Sequence, residues 1–332
     1  PGDIRRLLSR LDAAPRRKWG QNFMINRGAR ETILDAVDGA RNPQGGAGNN
    51  AAGRGAEAGG GAEAGGGAEA GGGGEADGGA ESGDGAEAGG GAKRGASRPH
   101  VWEVGGGLGA LTSGLVERGA CLTVFEVDPL FARYLRSEYQ DVEGFTLLEG
   151  DVLSTWREAV QLRGAPDVVA GNLPYGIAQR LLVDLVAGGL RPRRVVCTVQ
   201  KEVAERAIAV PGTKQYSAFT VLLSTVFVPK TVTVLRAGSF WPAPEVDSAI
   251  LRLDLRADAP PALGRLVVPL VKAAFASRRK KLIHGVKTLV PLDAETIAEC
   301  LESQGISPEI RGEALAAEDF IRLAAVLEER AR

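Results

Sequence analysis

Val101-Trp102-Glu103-Val104-Gly105-Gly106-Gly107-Leu108-Gly109 is the run on which the fold turns. A short apolar, β-prone stretch leads into a glycine-rich turn, and the residues after it, 108–118, carry helical spacing. Glycines at such a turn let the backbone bend sharply and approach a ligand closely, with the N-terminus of the next helix behind it. About 20 residues beyond Gly105, Glu126 ends the next apolar run, where a carboxylate can accept hydrogen bonds from ribose hydroxyls. The pattern reads as a site for a nucleoside-containing cofactor. It does not choose between a dinucleotide and S-adenosylmethionine. The Gly-x-Gly-x-Gly spacing departs from Gly-x-Gly-x-x-Gly, which weakens a dehydrogenase reading. A βα turn that binds nothing is the plainer alternative.

Downstream, apolar runs alternate with helical stretches. Strands are predicted over 122–126, 145–148, 167–170 and 194–199, and helices over 129–138, 154–162, 177–187 and 201–208. Such alternation predicts an α/β fold, a parallel sheet with helices on both faces. Two later β-rich runs, 226–235 and 248–255, have no long helix between them and read as an antiparallel pair closing one edge. From about residue 258 the pattern is only helical, so a domain over 1–257 and a small helical domain over 258–332 are expected. Upstream, 27–37 reads as an amphipathic helix with Ile33, Ala36 and Val37 on one face.

The chain has 332 residues, 44% of them hydrophobic, enough for a sizeable core. Its formal net charge of -1 hides an uneven distribution. Residues 43–98 hold half of the 46 glycines, repeat Gly-Ala-Glu-Ala-Gly-Gly and are acidic, which leaves the remainder mildly basic. This insert has almost no large apolar side chain to offset the entropy of ordering and is expected to be disordered. It lacks the strict Gly-X-Y period of collagen. A mildly basic body permits a nucleic-acid partner. Cys121, Cys197 and Cys300 are far apart, which excludes a disulfide scaffold or a Cys-type zinc site and fits a reducing cytoplasm. With two histidines, His100 and His284, no metal is expected. No apolar run approaches about 18 residues and the first residues lack a signal-peptide pattern, so no membrane association is expected.

Gly171-Asn172-Leu173-Pro174-Tyr175, after the fourth strand, is the most specific feature. Ligands of open α/β sheets bind at the carboxyl ends of the strands, near the switch point. Asn172 offers a side-chain carbonyl, Pro174 stiffens the turn and removes a donor, and Tyr175 presents a flat face to a base. Together they suit an exocyclic amine held between acceptors beside an aromatic platform. A proline turn with a packing tyrosine is the alternative. Asp151, in Glu149-Gly150-Asp151-Val152, can contact an adenine amine or simply cap a helix.

Asn172-Leu173-Pro174-Tyr175 resembles the [Asn/Asp/Ser]-Pro-Pro-[Tyr/Phe/Trp]-type motif of amino-methyltransferases in its rRNA adenine variant. Lys18-Trp19-Gly20-Gln21-Asn22-Phe23-Met24 is similar to the Lys-x-x-Gly-Gln-Asn-Phe-Leu signature of the KsgA-type ribosomal RNA adenine dimethyltransferases. Gln200-Lys201-Glu202-Val203-Ala204-Glu205-Arg206, the segment from Phe240-Trp241-Pro242 to Asp247-Ser248-Ala249, and Ala274-Phe275 through Arg278-Arg279-Lys280-Lys281-Leu282 resemble three further motifs of that family. The five occur in order and cover nearly everything except the insert.

The resemblance implies a Rossmann-like class I S-adenosylmethionine-dependent methyltransferase sheet and S-adenosylmethionine as methyl donor. Asn22 and Met24 would line its site, with Gly105 near the methionine part, Glu126 on the ribose, Asp151 on the adenine and Asn172 beside the methyl group. Met24, Trp19 and Gly106 stand where the family more often has Leu, Leu or Phe, and Pro. At the target base, Asn172 and a carbonyl near Leu173 or Pro174 would hold the amine, with Tyr175 and Phe240 stacking on its two faces. Arg17, Lys18, Lys201, Arg278, Arg279, Lys280 and Lys281 would contact RNA. The implied function is dimethylation of N6 on two adjacent adenosines in a hairpin loop near the 3′ end of 16S rRNA, within immature small subunits, by a cytoplasmic monomer. A resistance-type relative acting on 23S RNA is the near rival; Gly20 and Leu173 favour the small-subunit reading. An assembly factor with secondary catalysis and a nicotinamide dehydrogenase are the other classes.

Overall fold

A computed structural model describes residues 2–16, 19–39 and 98–332, which belong to one compact unit. The insert expected over 43–98 lies outside the described residues but for Arg98, as do Arg17 and Lys18.

Helix α1 (Gly2–Arg10) precedes a two-residue strand β1 (Phe23–Met24) and helix α2 (Arg27–Gly39). The alternating part follows as β2 (His100–Val104), α3 (Thr112–Glu117), β3 (Cys121–Glu126), α4 (Pro129–Tyr139), β4 (Phe145–Glu149), α5 (Val152–Arg163), β5 (Val168–Asn172), α6 (Ala178–Ala187), β6 (Arg194–Gln200) and α7 (Lys201–Ala207). Then come α8 (Ala218–Ser224), β7 (Phe227–Leu235), β8 (Phe240–Trp241), β9 (Ser248–Leu255), and helices α9 (Val267–Ala276), α10 (Leu282–Val286), α11 (Ala294–Ser303) and α12 (Ala317–Arg330). Among the described residues, no helix is long and apolar enough to cross a membrane.

Seven strands form one sheet in the order β4-β3-β2-β5-β6-β9-β7. The first five are parallel, while β9 runs antiparallel to β7, as expected of the two late β-rich runs, and antiparallel to β6 as well. Both faces are covered. Val101, Val168, Ala170 and Val196 pack into a core with α2, α3 and Leu135 of α4, whereas Trp102, Val169, Val195 and Cys197 pack against α5, α6 and α7. Successive side chains of a strand point to opposite faces, so a strand buried on both sides reads as an unbroken apolar run. The chain winds outward from β2 to β4 and then from β5 to β6. Their common point of departure, between β2 and β5, is the topological switch, where a crevice opens at the strands' carboxyl ends.

The C-terminal helices surround a core of their own, built from residues such as Leu270, Val271, Leu301, Phe320 and Leu323, into which Tyr216, Val221 and Leu222 also insert.

Candidate active site at the strand switch

At the end of β2 the backbone turns through Gly105 and Gly107, at φ +81° and +53°, the left-handed region that favours glycine. The helix expected from residue 108 starts only at Thr112, because Gly109, at φ +79°, keeps the chain in turns. Gly106 has no room for a side chain: a Cβ there would stand 2.6 Å from Val124 Cγ1 and 2.7 Å from Leu135 Cδ1. Val124 and Leu135 therefore fill the space, and the glycine is matched to a tight turn rather than a loose one.

Glu126 ends β3 and is 4% exposed. Its Oε2 accepts from the Gly107 N–H at 2.7 Å and its Oε1 from the Asp128 N–H at 2.8 Å. Burial raises its pKa and these two donors oppose the rise. A carboxylate has about four lone-pair sites, so acceptor capacity remains for two hydroxyls. Asp151 stands at the end of β4, where its Oδ1 accepts from the Leu153 N–H at 2.9 Å and caps α5. The helix-cap alternative is thus realised, and Asp151 lines the cavity as well.

Asn172, the last residue of β5, is gripped at both ends of its carboxamide. Its Nδ2 donates to the Asn22 carbonyl at 2.7 Å, and its Oδ1 accepts from the Thr198 hydroxyl on β6. Pro174's carbonyl accepts from the N–H groups of Ile177 and Ala178 at 3.1 and 3.2 Å, which leaves Leu173 as the source of a backbone acceptor at this corner. Tyr175 is half-buried, its hydroxyl 2.5 Å from Ser248 Oγ on β9, and burial raises its pKa. Phe240 is 2% exposed in the core beside Met24, its register partner in the small β1–β8 sheet. With its ring covered, Phe240 offers no open face for stacking.

The segment from Trp19 to Phe23 roofs the switch point and closes a cavity of about 440 Å³. Its walls include Asn22, Gly105, Glu126, Asp151, Asn172 and Pro174. A second cavity of about 210 Å³ adjoins it, sharing Phe23, Gly105, Gly107 and Asn172, and Met24 lies on this one with Glu103 and residues of α1. Gln21, Asp128 and Thr198 complete the site although sequence reasoning gave them no role. Asp128-Pro129 carried one usable signal, since an acid before proline marks a helix start.

The model of the ribosomal RNA adenine dimethylase family matches residues 97–329. The chain belongs to that family. Among similar proteins, Ribosomal RNA small subunit methyltransferase A of Treponema denticola is 32% identical over 98% of this chain and 94% of its own length. The protein of the same description from Myxococcus xanthus is 39% identical over 66% of this chain and 78% of its own length. A dimethyladenosine transferase from Plasmodium falciparum superposes with a TM-score of 0.59 at 24% identity, covering 70% of this chain and 91% of that one, a likeness of fold.

The basic residues expected to meet RNA on this dimethylase-family chain lie in different settings. Lys201 opens α7 and pairs with Glu205 at 3.7 Å. Arg278 is committed within the protein, to Glu313 at 2.9 Å and to the carbonyls of Lys214 and Thr213 at 3.2 and 3.4 Å. Lys281 pairs with Glu309. Arg279 and Lys280 are exposed, and among the described residues no carboxylate lies within ion-pair reach of either.

Proposed function

We propose that the chain dimethylates N6 of two adjacent adenosines in a hairpin loop near the 3′ end of 16S rRNA, acting as a cytoplasmic monomer on immature small subunits during 30S biogenesis. The chain is an S-adenosylmethionine-dependent rRNA adenine dimethyltransferase of the small subunit. The observation that carries the site is the corner at Asn172. A carboxamide held at both ends stands on the wall of a cavity of about 440 Å³ with Glu126 and Asp151, a size and polarity suited to the donor.

When bound, S-adenosylmethionine supplies an activated methyl group, so little acid–base help is required from the protein. Glu126 holds the ribose, Asp151 accepts from the adenine amine, and Gly105 permits close approach of the methionine part. Asn22 supports the site from the roof, and Met24 packs behind it in the adjoining cavity. The amine to be methylated is a poor nucleophile because its lone pair is delocalised into the purine. Asn172 Oδ1, with one lone pair left beside Thr198, and the Leu173 carbonyl accept its hydrogens and favour a pyramidal nitrogen. Alignment of this kind is worth on the order of 7 kcal/mol at its best. Extruding the base from its RNA costs a few kcal/mol. Stacking on Tyr175 returns about 1–3 kcal/mol. Pro174 stiffens the turn, and Phe240 supports the roof from behind through its pairing with Met24. Residues 258–332 form the helical RNA-binding domain, with Arg279 and Lys280 as phosphate contacts and Arg17, Lys18, Lys201, Arg278 and Lys281 as further cations of that surface.

Undermethylated small subunits incubated with the protein and labelled S-adenosylmethionine, followed by mapping of the modified nucleosides, test the proposal. Label in two neighbouring dimethyladenosines near the 3′ end of 16S rRNA is expected; no label there, with label in 23S RNA offered in a parallel reaction, transfers the chain to the rival reading. An Asn172→Ala variant is expected to lose at least 100-fold in turnover, the scale on which positioned groups act, while it still binds small subunits. Retained methylation removes Asn172 from the mechanism.

A further inference from the structure

Gln21 lies in the roof, and both ends of its carboxamide are engaged. Its Oε1 accepts from the Arg16 backbone N–H at 2.7 Å, and its Nε2 donates to Asp128 Oδ2 at 2.9 Å. Asp128 is 1% exposed. Its Oδ1 accepts from the Leu130 N–H at 3.0 Å to cap α4, and its own N–H donates to Glu126 Oε1 at 2.8 Å. Glu126 in turn accepts from Gly107. A continuous chain of hydrogen bonds therefore runs from the roof, through Gln21, Asp128 and Glu126, into the glycine turn. The far end of the roof is tied separately, by the β1–β8 pairing and by the Asn22 carbonyl on Asn172.

We propose that Gln21 is a positioning residue: it latches the Trp19–Phe23 roof onto Asp128 and so sets how tightly the cavity holds the methyl donor, without touching the reacting atoms. The inference rests on the reading of this cavity as the donor site. A hydrogen bond from a neutral amide to a buried carboxylate is charge-assisted and stronger than a neutral one. Without it the roof must be ordered at the moment of binding, and that cost falls on affinity. One N–H spent on Asp128 and one lone pair spent on the Arg16 N–H fix the Gln21 carboxamide, and through it the segment that carries it.

Calorimetric titration of the full chain with S-adenosylmethionine and with its demethylated product tests the latch. Gln21→Ala is expected to weaken binding of both about tenfold across about pH 6 to 8, while kcat at saturating donor stays within about twofold, a loss confined to KM. Gln21→Glu sets a carboxylate against Asp128, with the Arg16 guanidinium 4.0 Å from Asp128 Oδ1 and Glu126 as the next charge along the chain. Its defect is expected to exceed that of the alanine variant at about pH 8. It is expected to shrink toward wild type at about pH 6, measured against wild type at the same pH, as the new carboxyl takes up a proton and donates to Asp128 again. Wild-type affinity in Gln21→Ala overturns the latch, provided that Glu126→Ala binds poorly in parallel. If Glu126→Ala also binds normally, the reading of the cavity is what fails. If the alanine variant does not fold, the glutamate variant decides alone, and a defect that does not vary with pH overturns the proposal.

Discussion

Glu103 sits at 1% exposure just before the glycine turn. Burial pushes its pKa up from 4.5 to about 8, and the nearby Glu126 charge adds to the rise. In the folded chain the proton is kept up to about pH 8; in the unfolded chain it leaves near 4.5. The folded state binds more protons in this window, so stability falls as pH rises through it and levels off above. Glu103→Gln keeps the shape without the charge. Its advantage over wild type is expected to be small near pH 5 and to grow to several kcal/mol by about pH 8, as read from denaturant midpoints across that range. At this scale, Asn172 and Glu126 were legible because each closes a strand next to a turn, and Asp151 because it sits between a strand and a helix. Their partners were not. Thr198 and the Asn22 carbonyl reach Asn172 only after the sheet brings together residues 26 and 150 positions apart.

The cap of α5 gives a test at the level of an element. Asp151→Asn keeps an oxygen for the Leu153 N–H but puts an amide donor in place of an acceptor. Asp151→Ala loses both functions. The alanine variant is expected to lose about 1 kcal/mol, roughly 2–4 °C in melting temperature, whereas the asparagine variant melts near wild type. Both are expected to bind S-adenosylmethionine more weakly in the same titration, separating the cap from the ligand contact. The long alternating strands and helices were readable because each strand is bracketed by turn residues and each helix keeps a polar face. Helix α8 was not: Phe219, Thr220, Val221, Leu222 and Leu223 are all buried, so no amphipathic period exists to read. The two-residue strands β1 and β8 are too short for any periodicity. Their pairing, Phe23 with Trp241 and Met24 with Phe240, spans most of the chain. Helix α3 starts late for a local reason, the left-handed Gly109.

Across the whole molecule, arginines tie the C-terminal helices to the rest. Arg256, after β9, binds Asp258 and Glu318 of α12, and Arg278 joins Glu313 to the carbonyls of Thr213 and Lys214. A basic run in sequence gives no sign of this division of labour. Arg278→Ala is therefore expected to lower the melting temperature as well as RNA affinity. Arg279→Ala and Lys280→Ala are expected to leave melting unchanged and to flatten the slope of log affinity against log salt by about one each; melting curves and binding across a salt series check both. The Asn22–Asn172 bond also has a bearing on synthesis. The roof leaves the exit tunnel well before its anchor, which is translated 150 residues afterwards. A nascent chain thus stays silent until the fifth strand has followed, and only then does the earlier segment come home to finish the job.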